Sequence, residues 1–139
     1  MTKNERNSIT YGIVIAVVDD DESIRAATAR LLRSCDFKVD AFPTAESFLK
    51  SGRLHHTSCL VLDLSLPGMS GLELQTYLSE LGHRIPIIFI TGSRDGNKIA
   101  QAMNAGAIAY LHKPFSDQAL LNAVRAALNT GSGGHPGSE

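Results

Sequence analysis

Short apolar runs alternate with longer amphipathic segments along the chain. Five runs have the length of strands, and they fall at residues 13–18, 37–41, 59–62, 85–90 and 107–111. Several are continuous stretches rich in Val and Ile, which is typical of strands buried on both faces of a parallel sheet. The segments between them carry apolar residues at helical spacing, as Leu120, Val124 and Leu128 do in the last one. The pattern predicts strands and helices in strict alternation.

Capping residues indicate where the predicted helices begin. Ser70, followed three residues later by Glu73, fits a capping box, in which each side chain accepts the backbone amide of the other. Thr44 and Ser116 stand at the N-cap positions of the second and fifth helices. Each helix therefore has a definite start shortly after the preceding strand ends.

This element order predicts an α/β fold with a doubly wound, five-stranded parallel sheet and right-handed crossovers. We expect the flavodoxin-like (βα)5 arrangement, with strand order 2-1-3-4-5. A chain of 139 residues suits one domain. We assign this domain to residues 12–128, with a flexible leader over residues 1–11 and a flexible linker or tail over residues 129–139.

Composition narrows the range of functions. The chain has 13 basic and 14 acidic residues, and this balance lacks the basic excess of nucleic-acid or membrane binders. No apolar segment approaches the roughly 20 residues of a membrane span. The polar start is unlike a secretory signal, and Cys35 and Cys59 lie in apolar surroundings typical of reduced core thiols. We therefore expect a cytoplasmic domain that contacts neither membrane nor nucleic acid.

Polar residues of distinct types stand where four of the predicted strands end. They are Asp19 and Asp20, Asp63, Thr91 and Lys113. Each alone has an ordinary explanation, as a helix-start acid, a turn residue or a solvated charge. Ligands of such sheets, however, bind at the carboxyl ends of the strands. The four positions together predict a site at that edge.

The residue types at this edge indicate phosphoryl transfer. Converging carboxylates repel one another, so they either protonate or recruit a cation, and an oxygen site open to water suits Mg²⁺ or Mn²⁺. Positive charge beside a lysine and a hydroxyl admits a phosphoryl group that the acids alone would repel. Asp63, alone at the end of its strand, is the natural nucleophile, since an aspartate can form an acyl phosphate.

The motifs VVDDDESIR, VLDLSLPGMSG, FITGS and YLHKPF follow strands one, three, four and five in that order. In these motifs the chain resembles the receiver domain of two-component response regulators over residues 12–128. The stretches TAESFL, LPGMSGLEL, ITGSRD and KPFSDQALLNAV are most similar to receivers attached to LuxR-type helix-turn-helix domains. The sequence alone leaves open whether the chain is a natural single-domain receiver or part of a longer regulator.

The resemblance implies a metal site and a phosphoacceptor. Asp63 would accept the phosphoryl group from a sensor histidine kinase or a small phosphodonor. Asp20, Asp63 and the backbone carbonyl of Ser65 would ligate Mg²⁺, and Asp19 would act through water. Asp21 would remain a helix-start acid.

The resemblance also assigns the other strand ends. Lys113 and Thr91 would each bind a phosphoryl oxygen, and the peptide bond between Lys113 and Pro114 would be cis. Thr91 would switch together with Tyr110, although a plain core role for Tyr110 is an alternative. The protein would then be a signalling switch that controls an output such as transcription, with only self-catalysed phosphorylation and dephosphorylation, and not an enzyme.

The predicted fourth helix, over residues 95–104, contains Gly96 and Asn97 and is a weak helix former, so we expect it to be mobile. The resemblance implies that its face, shared with the fifth strand, mediates a phosphorylation-dependent homodimer. The apolar surface there would come from Ile99, Ala102, Met103 and Ala107, some of which must face the core, so we expect a modest patch and a weak dimer. Docking of a separate output protein on the same face is the alternative.

Two other functions share parts of this pattern. A flavin-binding module has the same fold, but its first strand leads into a phosphate-binding loop of Ser, Thr and Gly, where this chain has aspartates. A Mg²⁺-dependent phosphohydrolase with an aspartate nucleophile normally has a second acid two residues later, where this chain has Ser65. The receiver interpretation accounts for more of the residues than either.

Overall fold

The structure is a computed structural model that describes residues 12–133. The strands are β1 (Val14–Val18), β2 (Lys38–Phe42), β3 (Cys59–Asp63), β4 (Ile87–Thr91) and β5 (Ala109–His112). The helices are α1 (Glu22–Ser34), α2 (Ala45–Lys50), α3 (Gly71–Glu80), α4 (Gly96–Asn104) and α5 (Asp117–Gly133), with a short 3-10 helix (Leu54–His56) before β3. The predicted alternation of strands and helices is confirmed.

The predicted end of the last helix is wrong by one turn. We expected it to end near Leu128, but α5 continues to Gly133. Glycine is a poor helix former, and for this reason we expected the helix to end before Gly131 and Gly133. The helix nevertheless continues through both residues. The predicted leader and residues 134–139 of the predicted tail lie outside the described residues.

The strands form one parallel sheet in the order β2-β1-β3-β4-β5, which confirms the predicted fold class. The register places Val18 beside Leu62, and Thr91 beside His112. Neighbouring strands thus end at nearly the same level. The residues that follow each strand therefore lie along one edge of the sheet.

Both faces of the sheet are covered by helices. All residues of β1, β3 and β4 are buried, and successive residues alternate between two hydrophobic clusters, one on each face. Phe48, Leu74 and Leu78 from α2 and α3 cover one face, whereas Leu32 from α1 and Leu120 from α5 cover the other. This two-sided burial explains why the strands read as continuous apolar runs.

The predicted helix starts are confirmed. Glu73 donates its backbone amide to Ser70 Oγ at 3.1 Å, and Ser70 donates its own to Glu73 Oε1 at 2.9 Å. The hydroxyls of Thr44 and Ser116 accept the third backbone amide of their helices at 2.9 and 3.0 Å. These caps fix the points at which the chain turns back over the sheet.

Cys35 and Cys59 are free, and burial raises the pKa of the Cys59 thiol to about 12. This finding agrees with the predicted reduced core thiols. Among residues 12–133, no helix combines the length and the apolar character that crossing a bilayer demands.

Candidate functional site

The carboxylates of the first and third strands meet at the carboxyl edge of the sheet. Asp19 follows β1 directly and Asp63 is the last residue of the adjacent β3. One carboxylate oxygen from each of Asp19, Asp20 and Asp63 lies within 4.8 Å of the other two. Asp19 and Asp63 are buried, whereas Asp20 is exposed. The predicted convergence is therefore present, with one acid open to solvent.

Lys113 enters this acidic cluster from the loop after β5. Its Nζ donates to Asp63 Oδ2 at 3.0 Å and lies 3.1 Å from Asp19 Oδ2. Burial lowers the pKa of the Lys113 ammonium. The hydrogen bond to Asp63 and the charge of Asp19 raise it by more, so the pKa of Lys113 lies above its ordinary value. The ammonium is thus held protonated against two carboxylates.

A backbone hydrogen bond ties Lys113 to the end of β4. Its amide donates to the carbonyl oxygen of Thr91 at 2.7 Å, and its peptide bond to Pro114 is cis, as expected. Lys113 is therefore tied to the end of β4 as well as to the acids.

Asp63 is held on both of its oxygens. Oδ1 accepts the backbone amide of Ser65 at 3.0 Å, and Oδ2 accepts from Lys113. Burial raises the pKa of the Asp63 carboxyl, and the two hydrogen bonds offset this only in part. The carboxylate is therefore oriented by two hydrogen bonds, and its charge is only partly compensated by them.

Asp19 is anchored mainly through its backbone and one oxygen. Oδ1 accepts the amide of Asp21 at 2.9 Å, and Arg25 Nη1 donates to the Asp19 carbonyl at 2.8 Å. Oδ2 is buried and receives no hydrogen bond, since its ion pair with Lys113 lacks hydrogen-bond geometry. A buried carboxylate oxygen without a donor is costly unless a positive group satisfies it.

These residues fit a hard divalent cation. The donor set consists of carboxylate oxygens only, one buried oxygen has no hydrogen bond, and exposed Asp20 leaves an opening for water. Mg²⁺ prefers such a site, in which one or two carboxylates bind and water completes the shell.

Thr91 ends β4 fully buried, and its Oγ1 accepts the amide of Ser93 at 2.9 Å. Tyr110 on neighbouring β5 is 45% exposed, so the alternative that it is a plain core aromatic is wrong. Because Tyr110 pairs with Phe89 and Thr91 pairs with His112, the side chains of Thr91 and Tyr110 lie on the same face of adjacent strands.

Comparison with known proteins agrees with this geometry. The family model of the response regulator receiver domain matches residues 15–125 of the sequence. The chain belongs to this family. Nodulation protein W of Bradyrhizobium diazoefficiens is 50% identical over 114 residues, which are 82% of this chain and 50% of that protein. The transcriptional regulatory protein FixJ of Azorhizobium caulinodans is 40% identical over 114 residues, or 82% of this chain and 54% of that protein.

A solved structure of the response regulator StyR has a TM-score of 0.80 and 46% identity, covering 86% of this chain and 60% of that one. The receiver thus spans about half the length of the curated relatives it matches. The predicted likeness to receivers of transcription regulators is confirmed. The flavin-binding and phosphohydrolase alternatives find no support.

Gly71 allows the receiver's backbone to pack closely behind the acidic cluster. A Cβ atom at this position would overlap the carbonyl oxygen of Asp63 and lie 3.0 Å from Leu64 Cα and from Phe89 Cε1. The sequence marks Gly71 only as a loop residue. Its tight packing depends on a contact between α3 and β3 that no local pattern reveals.

Two polar residues at the site escaped sequence reasoning. Glu46 Oε2 accepts the amide of Met69 at 2.8 Å, and this hydrogen bond lowers the pKa of Glu46 and ties α2 to the loop after Asp63. His112 has a buried Nε2 without a hydrogen bond, while its Nδ1 lies 3.1 Å from the Lys113 carbonyl oxygen. The acid at a helix start and the histidine beside Lys113 are visible in the sequence, but their partners are not.

Proposed function

We propose that the receiver is a phosphorylation-activated switch in which Asp63 accepts a phosphoryl group from a sensor histidine kinase or a small phosphodonor. The observation that carries the proposal is the Lys113 ammonium, held 3.0 Å from Asp63 and 3.1 Å from Asp19. The acids orient the lysine, and the lysine offers a positive contact to an arriving phosphoryl oxygen.

In the proposed step, a carboxylate oxygen of Asp63 attacks phosphorus. The P–N bond to the donor imidazole breaks, and its electron pair stays on the imidazole nitrogen. The product is an acyl phosphate on Asp63. Lys113 binds one phosphoryl oxygen and the hydroxyl of Thr91 donates to another, so catalysis rests on positioning and charge neutralisation.

Asp20, Asp63 and the backbone carbonyl of Ser65 would hold Mg²⁺ or Mn²⁺, with Asp19 acting through water. The bound ion supplies positive charge that offsets repulsion between the acids and the phosphoryl oxygens. Ser65 stands where a phosphohydrolase has its general acid or base. We therefore assign the protein self-catalysed phosphorylation and slow dephosphorylation only, and no enzymatic turnover of a substrate.

The output step passes from Thr91 to Tyr110. Once Thr91 turns its hydroxyl toward the phosphoryl group, it leaves space that the exposed ring of Tyr110 can fill, which changes the surface formed by α4 and β5. Relatives named as transcriptional regulators support transcription as the controlled output. A cytoplasmic location is part of the proposal and is supported by the free thiols.

Self-association through the α4 and β5 face belongs to the same proposal, with a corrected set of residues. Of the four residues named for this face, Ala102 and Ala107 are the ones buried in the core. Ile99 and Met103 pack partly against that core, and Tyr110 is exposed. The apolar patch is modest because the two alanines face inward.

Incubation with acetyl phosphate and Mg²⁺, followed by intact mass spectrometry, tests the assignment. Wild type should gain one phosphoryl group, Asp63→Asn should gain none, and Asp36→Asn should behave as wild type because exposed Asp36 lies outside the acidic cluster. Labelling of the wild type in excess EDTA, or of Asp63→Asn, would contradict the proposal.

A further inference from the structure

A cavity of about 860 Å³ lies at the edge of the sheet opposite the acidic cluster. Ile13, Ser58 and Pro86 contribute to its wall, and they immediately precede β1, β3 and β4. The cavity therefore opens at the amino ends of the strands, whereas Asp63 and Lys113 stand at the carboxyl ends. Its volume is in the range of small-molecule sites, about 300–1,000 Å³.

Apolar side chains from both sides of the sheet reach this cavity. Leu54 and Ile85 extend one hydrophobic cluster to the cavity wall, and Phe37 and Leu128 extend the other. All four are half-buried, so an apolar body placed here would remove further surface from water. The cavity wall thus exposes side chains that pack against both hydrophobic clusters.

The charged side chains of the wall are all basic. Arg84 precedes β4 and Arg125 lies on α5, and both are exposed. His55 and His83 also line the cavity, with ring centroids 4.8 Å apart in an edge-to-face arrangement. Among the described residues, the cavity wall includes no Asp or Glu. Such a wall favours an anion and opposes a cation.

We propose that this cavity binds an amphipathic organic carboxylate, with its apolar body on the half-buried side chains and its carboxylate paired with Arg84 and Arg125. The guanidinium group matches a carboxylate by bidentate hydrogen bonding, and the apolar wall supplies the remaining affinity. The site is independent of the proposed phosphoacceptor, because the two lie at opposite edges of the sheet.

Titration of the isotope-labelled full chain with octanoate, followed by amide NMR shifts, tests the proposal. Octylammonium and 1-octanol carry the same apolar body with a positive charge or none. Octanoate should produce saturable shifts at amides beside the cavity, such as those of Ser58 and Ile85, and should bind at least tenfold more tightly than either control.

Matched variants separate the charge from the apolar wall. Arg84→Gln combined with Arg125→Gln keeps much of each side-chain stem, and it should weaken octanoate at least tenfold while leaving 1-octanol unchanged. Arg94→Gln, at an exposed arginine of the loop before α4, should leave both affinities unchanged.

Equal affinities for octanoate and octylammonium would overturn the proposal, and so would unaltered octanoate binding by the double variant. Absence of saturable shifts up to the solubility of octanoate would also overturn it. Shifts that depend on protein concentration without ligand would assign the cavity to contact between copies instead.

Discussion

At the scale of single residues, Asp20 and Asp21 are neighbours with separable roles. Asp20 is exposed and contributes an oxygen to the acidic cluster. Asp21 is the N-cap of α1, and its Oδ1 accepts the amide of Ile24 at 3.2 Å. One acid therefore belongs to the candidate metal site and the next to a helix.

Substitution by alanine should affect different properties at these two positions. Asp20→Ala should weaken Mg²⁺ binding more than tenfold with little loss of stability. Asp21→Ala should lower the free energy of unfolding by about 1 kcal/mol, the usual value of an N-cap, while retaining Mg²⁺ affinity. NMR titration and urea unfolding measure the two properties. Equal losses of Mg²⁺ affinity would place the register of the acidic run in error.

The raised pKa of Asp63 predicts how stability depends on pH in the absence of metal. Because burial raises the folded-state pKa, the folded state binds the proton more tightly than the unfolded state does. Protonation of Asp63 therefore stabilises the folded state. This stabilisation is complete below the unfolded-state pKa of about 3.9 and is lost as pH rises through the folded-state pKa of Asp63. The pairing with Lys113 is already included in this net direction.

Asp63→Asn should therefore be more stable than wild type in EDTA, and the difference should grow as pH rises from about 4 through the folded-state pKa of Asp63 and then stay constant. Urea unfolding of both proteins at pH values from about 4 to 8 gives the sign of this stability difference. A wild type that is more stable than the variant at pH 8 would mean that the Lys113 pairing outweighs burial.

The sequence predicted which residues meet at the acidic cluster because all of them stand at strand ends, and strand ends share one edge of a parallel sheet. It did not predict the contacts of Arg25 or Glu46. Arg25 reaches a backbone carbonyl and Glu46 a backbone amide. Such partners are set by how the loops pack and leave no trace in residue spacing.

At the scale of elements, the start of α3 is fixed against the end of β3 by the absence of a side chain at Gly71. The overlap that a Cβ would make is with the backbone of Asp63 and Leu64, which cannot move without moving the Asp63 carboxylate. Close packing of this helix and this strand is thus a condition for the geometry of the acidic cluster.

Gly71→Ala should destabilise the receiver by about 2 kcal/mol or more, since the overlap is with backbone. Gly96→Ala is the matched control, because a Cβ at the start of α4 meets nothing within 4 Å. It should leave stability unchanged or raise it by up to about 1 kcal/mol. Thermal and urea unfolding of both variants give the comparison, and similar stabilities would contradict the packing argument.

Thr91→Ala should separate phosphorylation from the surface change of β5. Asp63 should still accept a phosphoryl group, at a lower rate, because Lys113 and the acids remain. The NMR shift differences between free and beryllofluoride-bound forms should shrink at Tyr110. Thr28→Ala, at a buried threonine of α1, is the control and should leave these differences intact. Undiminished differences at Tyr110 in Thr91→Ala would refute the coupling.

At the scale of the whole molecule, the exposed ring of Tyr110 is the main large apolar group on the proposed dimer face. Sedimentation should show a monomer in the free state and a weak dimer with beryllofluoride and Mg²⁺, with Tyr110→Ala remaining monomeric in both. Tyr77→Ala, at an exposed tyrosine of α3, should dimerise as wild type does. A wild-type monomer under both conditions at high concentration would remove the dimer and leave docking of a separate output protein.

The fold followed from the sequence because strands that are buried on both faces give uninterrupted apolar runs, and their alternation with helices permits few topologies. The end of α5 did not follow, and neither did the identity of Ala102 and Ala107 as the residues of the α4 and β5 face that turn inward. Alanine suits core and surface alike, so its burial is decided by the packing of α4 and β5 against the rest of the molecule.

The contacts between Lys113 and the acids also bear on how the edge strand β5 is held in the sheet. Asp19 and Asp63 come from the ends of β1 and β3, whereas Lys113 follows β5, so a sheet that lacked β5 would hold the two acids together without the ammonium between them. Addition of β5 then supplies both the amide that binds the Thr91 carbonyl and the charge that relieves the acids. The edge strand β5 is thus held in place by electrostatic attraction as well as by pairing with β4, and Asp63 has its lysine only when β5 is in the sheet.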